Sequence, residues 1–224
     1  MKLILMTTPY FFVEEHRILT ALFDEGLELL HLRKPCTEPV YSERLLSLIP
    51  EAYRKRIVTH DHFYLKNEYR LGGIHLNARN PRIPEGYKGH VSCSCHTIEE
   101  VERRKRLCDY VILSPVFDSI SKDGYLSPFP PELLREYASR GIIDRKVMAL
   151  GGVDADNIGS LRGYGFGGAV VLGAIWNRFN MYSTPDFRGL IAHFRKLRRA
   201  AGGECMCVER FLFVFLKKER ELWI

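Results

Sequence analysis

The sequence predicts a (β/α)₈ TIM barrel. Apolar runs of strand length alternate with helical patterns along nearly the whole chain, which is typical of a parallel sheet built from βα units. The strands are continuous apolar runs, as expected where helices cover the outer face of a parallel sheet. Two late strands end in glycines, at Gly151-Gly152 and at Gly173. Such ends after strands 7 and 8 are typical phosphate sites of a barrel.

The expected elements follow in strict alternation. Strands are predicted over residues 3–8, 27–33, 56–61, 73–77, 90–96, 110–117, 146–151 and 169–173. Helices are predicted over residues 13–24, 42–48, 62–69, 98–107, 131–139, 156–164 and 186–200. The segment 78–89 contains two prolines and two glycines, so the fourth helix is expected to be short or missing.

The chain length of 224 residues suits one such barrel. We predict a single barrel domain over residues 1–200 and a C-terminal extension over 201–224, whose apolar run packs at a place the sequence does not identify. An exposed apolar run of this kind is compatible with contact between subunits in a homo-oligomer. Apolar runs are too short for a membrane span, and the first one is too short for a signal peptide, so a cytoplasmic location is expected.

The formal net charge of +6 is dispersed along the chain. Its densest clusters, residues 103–106 and 195–199, lie on predicted outer helices. Solvated helix faces explain them better than a nucleic-acid surface, and the excess also suits a small anionic substrate. The two Cys-x-Cys pairs lack the spacing of common zinc sites, and we interpret them as packing residues.

Residues at the carboxyl ends of barrel strands form the predicted active site. Arginine, lysine, serine hydroxyls and glycine N–H groups at one mouth favour oxyanion binding. Asp61 would repel a phosphate unless a divalent cation bridges the two, which indicates Mg²⁺. The candidates in chain order are Arg33, His60, Asp61, Asn80, Ser94, His96, Ser119, Ser121, Lys122, Gly151, Gly152, Leu172 and Gly173.

The motifs around these residues resemble those of the thiamine phosphate synthases and their relatives, the thiazole tautomerases, over about residues 2–200. The segment 30–34 resembles the Gln-Leu-Arg-Glu-Lys strand end of that family, which implies that Arg33 binds a diphosphate. The segment 59–61 resembles an Asn-Asp pair, which implies that Asp61 ligates Mg²⁺. The strand 73–76 resembles the Gly-Val-His-Leu strand of the family.

Four later segments continue the resemblance. Residues 94–97 resemble a Ser-x-His-Thr motif whose serine lies on the pyrimidine side of the site. Residues 114–122 resemble the loop Gly-Pro-x-Phe-x-Thr-x-Thr-Lys, which implies that Ser119, Ser121 and Lys122 bind substrate and diphosphate. Residues 149–153 and 171–175 resemble the site that binds a thiazole phosphate.

The sequence also departs from the family pattern at three positions. Pro35 replaces a diphosphate-binding lysine, although the neighbouring Lys34 is expected to be able to reach the site. His60 replaces an asparagine, and Asn80 takes the place of a second metal-binding aspartate. The predicted Mg²⁺-diphosphate site is therefore weakened, whereas the phosphate site for the thiazole is intact.

The resemblance leaves two enzymes open. A synthase would join hydroxymethylpyrimidine diphosphate to hydroxyethylthiazole phosphate, with Arg33 and Lys122 stabilising the leaving charge. A tautomerase would aromatise a thiazole carboxylate phosphate and would use His96 as acid or base. The retained loop 119–122 and Asp61 favour the synthase, which we prefer. A third reading is a non-catalytic barrel that binds a phosphorylated ligand.

Overall fold

Eight parallel strands close into a barrel in the computed structural model, which describes residues 1–118, 127–179 and 187–202. Neighbouring strands follow chain order, and β1 pairs with β8 to close the sheet. The strands are β1 (Lys2–Met6), β2 (Leu29–Leu32), β3 (Ile57–Thr59), β4 (Gly73–Leu76), β5 (His90–Cys95), β6 (Tyr110–Leu113), β7 (Val147–Leu150) and β8 (Gly168–Val171). The predicted TIM barrel is confirmed.

Helices connect these strands on the outside of the barrel. They are α1 (Glu15–Asp24), α2 (Pro39–Leu48), α3 (Glu51–Arg54), α4 (Leu65–Glu68), α5 (Ile98–Arg104), α6 (Pro131–Ser139), α7 (Gly173–Trp176) and α8 (Arg188–Ala200). A 3₁₀ helix over Ile158–Arg162 stands where the sequence predicts a longer α-helix. All residues between β4 and β5 are described and none is helical, so the expected loss of the fourth helix is confirmed.

The strands are shorter than the sequence predicts, mostly at their carboxyl ends. The largest difference is in β6, which ends at Leu113 rather than at Phe117, because the proline at position 115 cannot donate a ladder hydrogen bond. The residues released from these strand ends form the mouth of the barrel. Two short helices, α3 and α7, were not predicted, since each is a single turn.

The barrel interior has an apolar side and a histidine side. The apolar side is a small cluster on β1, β6, β7 and β8 with the members Ile4, Met6, Tyr110, Ile112, Met148 and Val170. The histidine side consists of the buried residues His31 on β2, His60 directly after β3 and His75 on β4. The larger core lies between strands and helices, and it includes Cys93 and Cys95 as predicted packing residues.

The predicted extension of residues 201–224 falls almost entirely outside the described residues, which end at Gly202. Its role and the domain boundary at residue 200 stay predictions. In the part of the chain that is described, no helix is both long enough and apolar enough to cross a bilayer.

Candidate functional site

Charged side chains meet at the mouth of the barrel beyond β3 and β4. The guanidinium group of Arg79 donates from Nη2 to both carboxylate oxygens of Asp61, at 3.1 and 3.2 Å, and from Nε to Oδ1 at 3.2 Å. The Asp61 side chain is 15% exposed and that of Arg79 is 38% exposed. This forked pair is the geometry in which arginine binds a carboxylate most strongly.

Asn80 completes this group through its amide nitrogen. Its Nδ2 donates to Oδ1 of Asp61 and to the backbone carbonyl of His60, each at 3.0 Å. A side-chain turn holds the loop in place, because Oδ1 of Asn77 accepts from the backbone N–H groups of Arg79 and Asn80 at 2.9 and 3.1 Å. The loop after β4 is thereby attached to the end of β3.

These residues do not fit the Mg²⁺ site that the sequence predicts. Magnesium binds oxygen ligands at about 2.0–2.1 Å, so a site for it needs oxygens that are free to coordinate the ion. Both oxygens of Asp61 accept from Arg79 instead. The amide of Asn80 faces two acceptors, so turning its oxygen toward them would place three oxygens together and lose both hydrogen bonds. Asn80 therefore presents a donor where a metal needs an acceptor.

Arg33 lies beside this group at the end of β2. Its backbone N–H donates to Oγ1 of Thr7 at 2.9 Å, and that hydroxyl donates back to the Arg33 carbonyl at 3.0 Å. Burial and then the neighbouring Arg79 lower the pKa of Arg33, and Asp61 opposes this shift. Within the described residues, the Arg33 guanidinium forms no hydrogen bond. It is an available donor group for an oxyanion, as the sequence predicts.

Lys34 does not reach the mouth, so the suggestion that it replaces the lysine lost at Pro35 is wrong. Its side chain is buried, and Nζ forms an ion pair with Oε1 of Glu15 at 2.6 Å. Nζ also donates to the carbonyl of Tyr10 at 2.6 Å and lies 4.5 Å from the ring centroid of Phe11. Successive strand residues point to opposite faces, which explains why Lys34 faces away from the position that Arg33 occupies.

Inside the barrel, the three histidines form a hydrogen-bonded cluster. Nδ1 of His31 lies 2.8 Å from Nε2 of His60, and Nε2 of His31 lies 2.5 Å from the hydroxyl of Tyr110. His75 lies against the hydroxyls of Ser92 and Ser94 at 2.8 and 2.9 Å. The His60 and His75 rings stack with their centroids 4.1 Å apart.

Burial keeps this cluster neutral. It lowers the pKa of His31 to about 3, and burial is also the main reason why the pKa values of His60 and His75 lie well below the ordinary value. Ligand nitrogens of the three rings lie within 4.8 Å of one another. However, both nitrogens of His31 and His75 already have hydrogen-bond partners. The geometry favours a hydrogen-bonded network over a metal centre.

Ser94 and His96 lie at the carboxyl end of β5, as predicted. Ser94 is a hydrogen-bond partner of His75, so this predicted substrate residue is tied to the histidine cluster. His96 is exposed, and its Nδ1 lies 3.0 Å from the backbone carbonyl of Ser114. Because a carbonyl only accepts, Nδ1 carries the proton in this contact, and Nε2 has no hydrogen-bond partner among the described residues.

The glycines at the ends of β7 and β8 combine a packing requirement with free donors. Gly151 and Gly152 have φ angles of 99° and 62°, which other residues adopt only with strain. A Cβ on Gly151 would lie 2.7 Å from the Pro115 backbone, and one on Gly152 would overlap the Asp118 carbonyl. Glycine is therefore required at both positions by the backbone conformation and by the close approach of the neighbouring loop.

The same strand ends also leave backbone donors available. Toward the described residues, the N–H groups of Gly151, Gly152, Gly173 and Ala174 donate no hydrogen bond. Leu172, the remaining predicted member, precedes α7 and packs on the apolar interior cluster. Converging free N–H groups are suited to a phosphate.

Three predicted site residues, Ser119, Ser121 and Lys122, lie outside the described residues. Sequence reasoning did not identify four residues that hold the predicted residues or their neighbours in place, namely Arg79, Tyr110, Ser92 and Glu15. For Arg79 a signal was available, since it is a basic residue in a strand-end loop directly before Asn80. For the other three, only the tertiary contacts identify a role.

Comparisons with known proteins agree with this architecture. A family model described as thiamine monophosphate synthase matches residues 3–175. A solved structure of thiamine phosphate pyrophosphorylase from Bacteroides thetaiotaomicron is 56% identical and has a TM-score of 0.84, covering 90% of this chain and 98% of that one. A second solved structure, thiamine phosphate pyrophosphorylase from Pyrococcus furiosus, is 17% identical with a TM-score of 0.69, covering 90% of this chain and 95% of that one, and shows the fold alone.

Curated relatives are more distant. The thiamine-phosphate synthase of Limosilactobacillus reuteri is 24% identical over 135 residues, which is 57% of this chain and 62% of that protein. The match to the enzyme of the same name from Limosilactobacillus fermentum is 26% identical over 170 residues, 69% of this chain and 79% of that protein. The chain thus spans less than two thirds of the length of the first of these relatives. Since the family model covers most of the sequence, the chain belongs to the thiamine monophosphate synthase family.

Proposed function

We propose that this chain is a thiamine phosphate synthase, a transferase that joins hydroxymethylpyrimidine diphosphate to hydroxyethylthiazole phosphate and releases diphosphate. The observation that carries the proposal is two separate sets of anion donors at one barrel mouth that donate no hydrogen bond to the described residues. One set is the Arg33 guanidinium, and the other is the group of N–H donors around Gly151 and Gly173. Two anionic substrates need two such sets. Membership of the family and the name of the Bacteroides relative support the same activity.

In this reaction the bond between the pyrimidine methylene carbon and the diphosphate oxygen breaks, and its electron pair leaves with the diphosphate. The thiazole ring nitrogen then forms a bond to the methylene carbon. No proton has to move to a strong base. The chain would contribute charge stabilisation through Arg33 and positioning through the glycine N–H groups, which fix the thiazole phosphate near the reacting carbon.

Further residues belong to the proposal by resemblance. Lys122, Ser119 and Ser121 would bind substrate and the leaving diphosphate, and Ser94 would lie on the pyrimidine side. His60 would take the place of an asparagine on the pyrimidine or the diphosphate side. The Mg²⁺ expected from the resemblance takes no part in the steps proposed here, because the partners of Asp61 and Asn80 do not fit a metal site. The cytoplasmic location and homo-oligomeric state stay predictions.

The tautomerase alternative has one observation in its favour. The contact of His96 Nδ1 with the Ser114 carbonyl leaves Nε2, which has no partner among the described residues, able to accept a proton. In a tautomerase, replacing this base would lower the rate by about 10²–10⁴-fold. In a synthase the same ring has no proton to transfer, so the effect would be modest.

The test is incubation of the purified chain with each substrate set, with detection of thiamine phosphate, of aromatised thiazole and of solvent deuterium in the thiazole. We expect thiamine phosphate, a loss of about 10²–10³-fold in Arg33→Ala, and activity within a few-fold of wild type in His96→Ala. The matched control is Arg82→Ala, which removes an exposed guanidinium from the loop after β4. Deuterium incorporation that depends on His96, without thiamine phosphate, would establish the tautomerase. Turnover of neither set would leave a phosphate-binding barrel.

A further inference from the structure

The loop between β4 and β5 places a fixed positive charge where the family resemblance leads one to expect a metal ion. Arg79 reaches back to the end of β3 and forms three hydrogen bonds with the Asp61 carboxylate. The neighbouring Asn80 donates to the same carboxylate. Asp61 thus accepts from both neighbours, whereas a magnesium site needs carboxylate oxygens that are free to coordinate the ion.

The residues at positions 79 and 80 both make this end of the site more positive, as a bound metal ion would. A neutral amide at position 80 removes one negative charge from this end of the site, and the guanidinium at position 79 adds one positive charge. Arg33 lies near enough to Arg79 for the positive charge of Arg79 to contribute, after burial, to the lowered pKa of Arg33. Asp61 partly offsets this repulsion, leaving the three residues with a net charge of +1.

We propose that Arg79 replaces the divalent cation in this chain, so that Arg33 and Arg79 together bind the diphosphate group without Mg²⁺. Asp61 accepts from Nε and Nη2 of Arg79, so Nη1, which donates to none of the described residues, is the atom that would bind a phosphate oxygen. Both guanidinium groups stay charged, whereas a bound cation would have to displace Arg79 from Asp61. Asp61 acts as a positioning residue that holds the Arg79 fork, and Asn80 fixes Asp61 from the other side. This inference rests on the proposed function, because it concerns the same diphosphate.

Calorimetric titration of inorganic diphosphate into the full chain tests the inference directly. We expect binding in excess EDTA that is at least as tight as binding with millimolar MgCl₂. Arg79→Gln should weaken binding in EDTA about tenfold or more, which corresponds to about 1.4 kcal/mol. The matched control, Arg82→Gln, removes an exposed guanidinium three residues along the same loop and should leave the affinity unchanged.

A second arm measures metal binding without any substrate. Mn²⁺ titration followed by electron paramagnetic resonance should show no site in the wild-type chain that depends on Asp61. The double variant Arg79→Gln/Asn80→Asp restores two neighbouring carboxylates and should create such a site. This measurement reports metal binding directly and does not depend on catalytic turnover.

The outcomes separate the two claims. Diphosphate binding that requires Mg²⁺, or a wild-type Mn²⁺ site that disappears in Asp61→Asn, would overturn this inference and leave the synthase proposal standing. Absence of diphosphate binding under both conditions would overturn both. Equal affinities of the Arg79→Gln and Arg82→Gln variants would show that Arg79 has no special role.

Discussion

The interior and the mouth of this barrel both carry polar side chains on or just after β2, β3 and β4, but those in the interior are neutral and those at the mouth are charged. In the interior, His31, His60 and His75 are buried and neutral, and they use their partners only as hydrogen-bond donors and acceptors. At the mouth, a few residues further along the same strands, Arg79 and Asp61 keep full charges in a partly exposed pair.

The difference follows from solvation. Moving an ion from water to a barrel interior costs several kcal/mol unless it is paired, and a histidine can avoid that cost by releasing its proton. An arginine cannot, so it stays where water or an anionic ligand reaches it. The pair of Lys34 and Glu15 combines features of both regions, because it is buried like the histidines and forms an ion pair like Arg79 and Asp61, with Nζ and Oε1 2.6 Å apart.

The largest expected effect is acid unfolding driven by the interior histidines. Their native pKa values are lowered, so below about pH 6.5 the unfolded chain binds protons that the native state does not, and stability falls as the pH falls. Each histidine should contribute a slope of about 1.4 kcal/mol per pH unit. Urea unfolding between pH 7 and pH 5 measures this slope.

The variant His75→Gln should lose one such contribution while an amide still reaches the serine hydroxyls. His16→Gln, on the outer helix α1, serves as the control. An unchanged slope in His75→Gln would contradict the assignment of a neutral buried cluster.

The next effect concerns the buried ion pair. Lys34→Met removes the cation beside the buried Glu15 side chain, which must then stay buried as an unpaired carboxylate or take up a proton, and the expected loss of stability is about 3–5 kcal/mol. The double variant Glu15→Leu/Lys34→Met removes both charges and should recover most of that loss in urea unfolding. Arg70→Met, in the exposed pair with Glu51, should cost less than about 1 kcal/mol. A double variant as unstable as Lys34→Met would show that lost packing, not the unpaired charge, is responsible.

A smaller effect of opposite sign distinguishes Glu15 from the histidines. Burial raises its pKa from 4.5 to about 7, although Lys34 acts against the shift. The native state therefore binds more protons between these values, and this contribution to stability is present below 4.5 and is lost as the pH rises through 7. The stability of wild type relative to Glu15→Gln should decrease from pH 5 to pH 7. A constant difference over this pH range would refute it.

The smallest effect should come from the mouth. Asp61→Asn weakens the partly exposed pair with Arg79, and we expect the free energy of unfolding to change by less than about 1 kcal/mol. High salt should reduce the difference further. A loss as large as that of Lys34→Met would mean that the mouth pair is a structural element of the barrel rather than a ligand site.

The sequence by itself determined the barrel, because strand and helix periodicities are local properties of the chain. It also determined that Arg33, Asp61, the glycines after β7 and the polar end of β5 face one mouth, since parallel strands all end at the same face. The absent fourth helix followed from the two prolines and two glycines of residues 78–89. Each of these inferences needs only short stretches of sequence and the alternation rule.

Only the tertiary structure decided the partners. Lys34 and Glu15 are separated by 19 residues, and His31 and Tyr110 by 79, so no local pattern shows that they meet. The binding of Asp61 by Arg79 depends on how an irregular loop returns to the neighbouring strand, and loop conformation follows from side-chain turns such as that of Asn77. Which charged groups pair depends on the distances between them in space, and these distances are set only when the barrel has closed.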